Sequence, residues 1–142
     1  MARYIAVTNK TRGVLVAERC RVASGLFQVV FGLHLLPRLE AGEGLLLPGA
    51  TTIDTTFMGY PIDLVFLDRN RRVTRVVPNL GPWRFALWNP GARDCLELPA
   101  GVVAASGTQK GDQLRFDEVS AQGRELEPAD EPAPGVLSHP TR

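Results

Sequence analysis

Ile62-Asp63-Leu64-Val65-Phe66-Leu67 runs into Asp68-Arg69-Asn70-Arg71 and then into Arg72-Val73-Thr74-Arg75-Val76-Val77. Two stretches rich in β-branched and aromatic residues flank a polar turn, which predicts a β-hairpin. Asp68 opens that turn, where a short carboxylate can bond nearby backbone N–H groups. The same reading extends outward in both directions. Arg3–Thr8 alternates and predicts a strand, Asn9–Gly13 a turn, and Val14–Val22 the returning strand. Glu43–Pro48 is a short buried strand, and Thr51–Met58 is rich in Thr and Ile, hence extended. Trp83–Trp88 and Asp94–Leu98 flank the turn Asn89-Pro90-Gly91, and Gln113–Asp117 follows Gly111-Asp112. Leu26, Val29, Val30 and Leu33 recur at helical spacing behind Ser24, so Ala23–Leu35 predicts a helix that Pro37 ends. Pro99–Ser106 predicts a second, shorter helix with Gly107 as its C-cap. Many short strands with few helices make the chain mainly β in the α+β class. The expected architecture is a compact antiparallel β-sandwich or partly closed barrel, with one or two short helices packed on it.

Composition bounds the rest. The chain has 142 residues, 44% hydrophobic and 22% charged, which suits one domain. Folding at this size buries roughly 68% of the extended-chain surface, enough for a core without disulfides or metal. No apolar run approaches the roughly 20 residues that span a bilayer, so membrane insertion is not expected. Met1–Arg12 has no apolar signal region, which makes a cytoplasmic location the expectation. The net charge of +1 conceals an asymmetry: 14 Lys/Arg against 9 Asp/Glu through Phe116, then two against six from Asp117 onward. A body this mildly basic does not suggest nucleic acid as a partner. Residues 119–142 carry Pro128, Pro132, Pro134 and Pro140 with few large apolar side chains, and read as an acidic, Pro-rich disordered tail. The folded domain is therefore expected at 1–118. Edge strands leave both monomer and homodimer open.

The order of motifs carries a resemblance. Gly25-Leu26-Phe27 through Phe31-Gly32-Leu33 precedes Glu43-Gly44-Leu45-Leu46-Leu47-Pro48, then Ile53-Asp54-Thr55-Thr56-Phe57-Met58-Gly59-Tyr60-Pro61-Ile62-Asp63-Leu64-Val65-Phe66-Leu67-Asp68. Leu96-Glu97-Leu98-Pro99-Ala100-Gly101 and Lys110-Gly111-Asp112 follow. From about Val14 to Phe116 the chain resembles the bacterial and archaeal family called domain of unknown function 192. The resemblance implies a mainly β domain with a helix packed on it and no established activity. Proximity of some members to pilus-assembly or secretion genes implies an accessory role in such an assembly as one alternative. Phe57 matches the aromatic that members carry before the Met, whereas Asp54 and Gly59 stand where many relatives have His and a basic residue.

Chemistry-bearing residues are few. His34 and His139 are the sole histidines, too few for a zinc site or a Ser-His-Asp triad. Cys20 and Cys95 form no CxxC pair and read as small buried hydrophobes. The threonines at 51, 52, 55 and 56 have no neighbouring base in sequence. Arg69, Arg71, Arg72 and Arg75 suit a solvated hairpin tip better than a phosphate site, and no glycine-rich phosphate loop is present. Asp63 lies inside an apolar run and needs a partner, for which an arginine on a neighbouring strand would serve. Trp83 and Trp88, five apart, face opposite sides of a regular strand, leaving one as a candidate contact for a partner. The expectation is a non-catalytic binding module for a protein or small molecule, without cofactor or metal. Its groove is expected around Phe57–Ile62 and Pro78–Trp88, with Asp54, Thr56, Phe57, Met58, Tyr60, Asp63, Trp83, Trp88 and Glu97 as binding residues. The alternative is a hydrolase-like enzyme pairing Asp54 or Asp63 with Glu97, which requires those carboxylates to converge.

Overall fold

Residues alternate between buried and less buried along Arg3–Asn9 (β1), as expected for a strand with one face on the core. Val14–Val22 (β2) returns antiparallel to it, with Cys20 opposite Ile5 and Arg21 opposite Tyr4. The computed structural model describes residues 2–24, 38–53, 59–82, 84 and 87–123, with only the backbone of 87 and 88. Glu43–Pro48 (β3), Thr52–Ile53 (β4), Ile62–Leu67 (β5), Val73–Leu80 (β6), Leu87–Trp88 (β7), Asp94–Pro99 (β8) and Leu114–Val119 (β9) complete the strands. Val102–Ser106 (α1) is the one helix among the described residues, and Gly107 ends it in the left-handed conformation at φ 68°. The helix expected over Ala23–Leu35 lies outside the described residues from Gly25 onward.

Seven strands form one sheet in the order β6-β5-β8-β3-β2-β1-β9, while β4 and β7 pair as a small ribbon. The sheet is predominantly antiparallel, but β2 and β3 run parallel, which makes it mixed. Twenty residues separate Val22 from Glu43, the length of connection that a parallel return demands. The two sheet edges meet at one end. Arg72 bridges Gln113, the Val73 N–H donates to the Asp112 carbonyl at 2.8 Å, and the Leu114 N–H donates to that of Arg71 at 3.0 Å. Elsewhere the edges are not joined, so the sheet curls toward a barrel without closing.

All six residues of β5 are buried, which explains why its sequence is an unbroken apolar run around Asp63. Val65 and Leu67 join Leu96, Leu98, Leu46 and Val103 of α1 on one face. Ile62, Leu64 and Phe66 join Leu45, Leu47 and Cys95 on the other, with Leu39 and Tyr60 packed against them. Each such fully buried aliphatic or aromatic side chain contributes about 1.5–3 kcal/mol. The hairpin turn forms as its sequence demands: Asp68 Oδ1 accepts from the N–H groups of Asn70 and Arg72, and Arg71 takes φ 62°.

Candidate functional site

The three fully described residues of the expected binding set are Tyr60, Asp63 and Glu97. Asp54, Thr56, Phe57, Met58 and Trp83 lie outside the described residues, as do His34 and His139, and of Trp88 only the backbone in β7 is described. Asp63 is buried, and among the described residues it is met by backbone amides where an arginine was expected. Its Oδ1 accepts from the Asn79 N–H at 2.7 Å, and Oδ2 accepts from the N–H groups of Gly101 and Val103 at 3.1 and 2.8 Å. Gly101 has no side chain to cap α1, so Asp63 caps that helix from β5 and also fixes Asn79 at φ 50°. The expected ion pair is thus replaced by three backbone amides, and the carboxylate is structural.

Register separates the expected carboxylate pair. Leu64 stands opposite Glu97, while Asp63 stands opposite Leu98. Because opposed residues share a face and successive residues alternate, Asp63 and Glu97 point to opposite faces of the sheet. These two carboxylates do not converge on one substrate.

Glu97 belongs instead to a row that crosses the sheet. Tyr4, Arg21, Leu45, Glu97, Leu64 and Val77 are successive register partners on β1, β2, β3, β8, β5 and β6. Neighbouring strands lie about 4.8 Å apart, so Arg21 and Glu97, two strands from each other, are roughly 10 Å apart at their Cα atoms. Glu97 is 3% exposed and its Oε2 has no hydrogen-bond partner. Burial pushes its carboxyl up to about 8, which keeps it mostly protonated at neutral pH. The Tyr60 hydroxyl, beside the Leu39 backbone, is likewise buried without a bond of good geometry. Burial raises this phenol, and the nearby Glu97 adds to the effect.

Over this row the surface sinks into a depression of about 200 Å³. Tyr4, Leu39, Gly44 and Leu45 contribute its apolar lining, and Arg19, Arg21 and Arg38 its charge. Arg19 sits two residues from Arg21 on the same face of β2, and it pairs with Glu43, its register partner on β3. Burial is the largest single influence on Glu43 and raises it, but the bond and charge of the Arg19 guanidinium and the Glu40 N–H together outweigh it and hold the carboxyl below its usual range. Arg38 lies over the Tyr60 ring at 5.1 Å, and Arg19 over the Tyr4 ring at 5.6 Å. Arg21 has no ion-pair partner among the described residues. Three guanidinium groups thus face one ionised carboxylate around an apolar floor. Sequence reasoning passed over these arginines. The signal was two cations, Arg19 and Arg21, at i and i+2 in a strand, with Cys20 between them and Val22 after.

Other candidates resolve as structure. Cys20 and Cys95 are buried and unpaired, and burial pushes both thiols up, away from the reactive range. Of the hairpin arginines, Arg71 lies over the Phe116 ring at 4.5 Å, and Arg72 donates to the Gly111 carbonyl, so both help join the sheet edges. Asp112 accepts from Asn9, Arg12 and Gln109, which ties the β1–β2 turn to the loop before β9. A wider, shallower depression includes Pro78 of β6 and Asn89, at the two ends of the stretch where part of the groove was expected, together with Arg75 and Lys110. Among the described residues, no three His, Cys, Asp or Glu side chains are grouped to hold a metal ion.

Comparison with known proteins extends these observations. The family profile described as uncharacterized ACR, domain of unknown function 192, matches residues 7–116. A UPF0127 protein of Thermococcus sibiricus is 31% identical over 113 residues, covering 77% of this chain and 73% of its own. A UPF0127 protein of Pyrococcus furiosus is 32% identical over 116 residues, covering 78% and 97%. Among solved structures, a protein of unknown function from Novosphingobium aromaticivorans superposes with TM-score 0.66 at 24% identity, over 79% of this chain and 83% of that one. A putative transcription regulator from Sinorhizobium meliloti superposes with TM-score 0.70 at 19% identity, over 82% and 94%. At these identities the likeness to the solved structures is one of fold.

Proposed function

The chain belongs to the domain of unknown function 192 family, and from that premise we propose that it is a non-catalytic binding module. It captures an anionic group, a carboxylate or a phosphate, in the arginine-lined depression. The module is residues 1–118, with Val119 completing β9, and the acidic segment follows it. One observation carries the reading: Arg19, Arg21 and Arg38 surround an apolar floor, with Glu43 as the only ionised carboxylate among the described lining residues. Guanidinium forks bond planar or tetrahedral oxyanions at two points. Glu97, protonated beside Leu45 in the neighbouring strand, leaves their charge uncancelled near neutral pH. The volume of about 200 Å³ falls below the roughly 300–1,000 Å³ of sites for drug-sized molecules. The depression therefore suits a single acidic group, free or carried on a larger partner.

The test is an NMR titration of the full chain with inorganic phosphate and with acetate at low ionic strength, following the arginine Nε–H resonances. Saturable shifts of Arg21 and Arg38 are expected, and Arg21→Gln should weaken binding about tenfold or more, the loss of one charge-assisted contact. Equal affinity in Arg21→Gln, or no saturable shift, overturns the reading.

A further inference from the structure

Where the described chain ends bears directly on this depression. Arg19 donates from Nη1 to the Ala121 carbonyl at 2.7 Å, and Gly123 lies against β2, where a Cβ would make ordinary contact with Arg19 Cβ at 3.6 Å. Arg19 is thus shared between the depression and the last described residues. The sequence continues Arg124-Glu125-Leu126-Glu127-Pro128-Ala129-Asp130-Glu131, with four acids and no base between 125 and 131.

Chain reach is sufficient. An extended residue spans about 3.3–3.6 Å, so Glu125 reaches roughly 7 Å from Gly123 and Glu131 roughly 27 Å. Arg21 is only two strand residues beyond Arg19, about 7 Å, and Arg38 lines the same depression. Charge is complementary beyond the Arg19–Glu43 pair: Arg21 and Arg38 have no ion-pair partner among the described residues, and the anionic run starts beside them, past Glu18 and Glu40, which line the surface at Gly123. Leu126, among the acids, suits the apolar floor of Leu39 and Leu45. A segment tethered this closely presents its carboxylates at an effective concentration of order millimolar, without any gain in intrinsic affinity.

We propose that the acidic run Glu125–Glu131 of this same chain docks its carboxylates on Arg21 and Arg38 and competes there with an external anion. The proposal rests on the anion-capture reading of the depression and adds its resident competitor. An incoming partner must then offer either a denser anionic group or several at once to displace it.

The experiment uses the full chain and a full-length variant carrying Glu125→Gln, Glu127→Gln, Asp130→Asn and Glu131→Gln. The arginine Nε–H resonances of both are recorded at low salt and at about 0.5 M NaCl, where the screening length falls to a few ångströms. Inorganic phosphate is then titrated into each. The expected result is that Arg21 and Arg38 resonate at different positions in the two chains at low salt and converge at high salt. The neutralised chain should also bind phosphate about threefold or more tightly. Identical arginine positions and equal, saturable phosphate binding would overturn the docking proposal while leaving the anion-capture function intact. Different arginine positions with no phosphate binding in either chain would support the docking and overturn that function. Identical positions with no binding would overturn both.

Discussion

Glu97→Gln tests the electrostatics of the sheet face most directly. Glu97 has a folded value of about 8 against an ordinary 4.5, raised by burial. Between those two values the folded chain holds a proton on Glu97 that the unfolded chain has released. Stability from this group is therefore complete below pH 4.5 and is lost as pH rises through about 8. The slope across that window is about −1.4 kcal/mol per pH unit, and over its roughly 3.5 units the loss totals about 5 kcal/mol. Gln keeps the shape and neutrality of the protonated acid and removes the titration. Its amide brings an unsatisfied donor of its own, a pH-independent offset of about 1–3 kcal/mol. The assay is urea unfolding of both chains at half-unit steps from pH 5 to 9, because urea leaves charges unscreened. The difference between the two stabilities should swing toward the variant by several kcal/mol across the window. Parallel profiles would show that Glu97 ionises in the fold at little cost, and the reasoning from burial would fail.

Asp63→Asn should cost about 3 kcal/mol in urea unfolding, because one amide group replaces an oxygen that accepts from backbone donors and cannot serve all three. A loss under 1 kcal/mol would refute its role as the cap of α1. Asp112 behaves oppositely to Glu97: burial raises it, but bonds from Asn9, Arg12 and Gln109 and the charge of Arg12 outweigh burial and lower it. Its contribution is present above pH 3.8 and is lost as pH falls through the lowered value, so Asp112→Asn should flatten the acid limb of stability below pH 3.8. An acid limb as steep as that of the parent would contradict this. Gly44→Ala places a Cβ 3.2 Å from Leu98 Cδ2 and 3.3 Å from both Cys20 Sγ and the Glu97 carbonyl. The carbonyl belongs to a central strand and cannot give, so a loss of about 1–3 kcal/mol is expected in thermal unfolding; an unchanged Tm would show that the sheet spreads there.

Much of the fold was legible because its causes are local. The alternation in Arg3–Thr8, the apolar run at Ile62–Leu67 and the Asp68 turn each specify a strand or a reversal within a few residues. Gly107 ends α1 for the same reason, a backbone conformation that the sequence itself permits. Likewise Cys20 and Cys95 could be read as buried apolar groups from their isolation. The pairing order was less accessible. A hydrophobic pattern states which side of a strand is covered but not which strand lies beside it, so the parallel β2–β3 pair was not anticipated. Asp63 shows the same gap: its need for a partner was readable, but three amides from Asn79, Gly101 and Val103 supply it.

By itself the sequence determined the family, the β-rich class, the hairpin and the separation of a basic body from an acidic end, all properties of composition and short-range spacing. Tertiary structure alone decided that Arg21, Leu45 and Glu97 stand in one row, and that Asp63 faces the other way. Those residues are tens of positions apart, and their meeting depends on strand register, in which a shift of one residue exchanges the two faces. The candidate site is a product of that register.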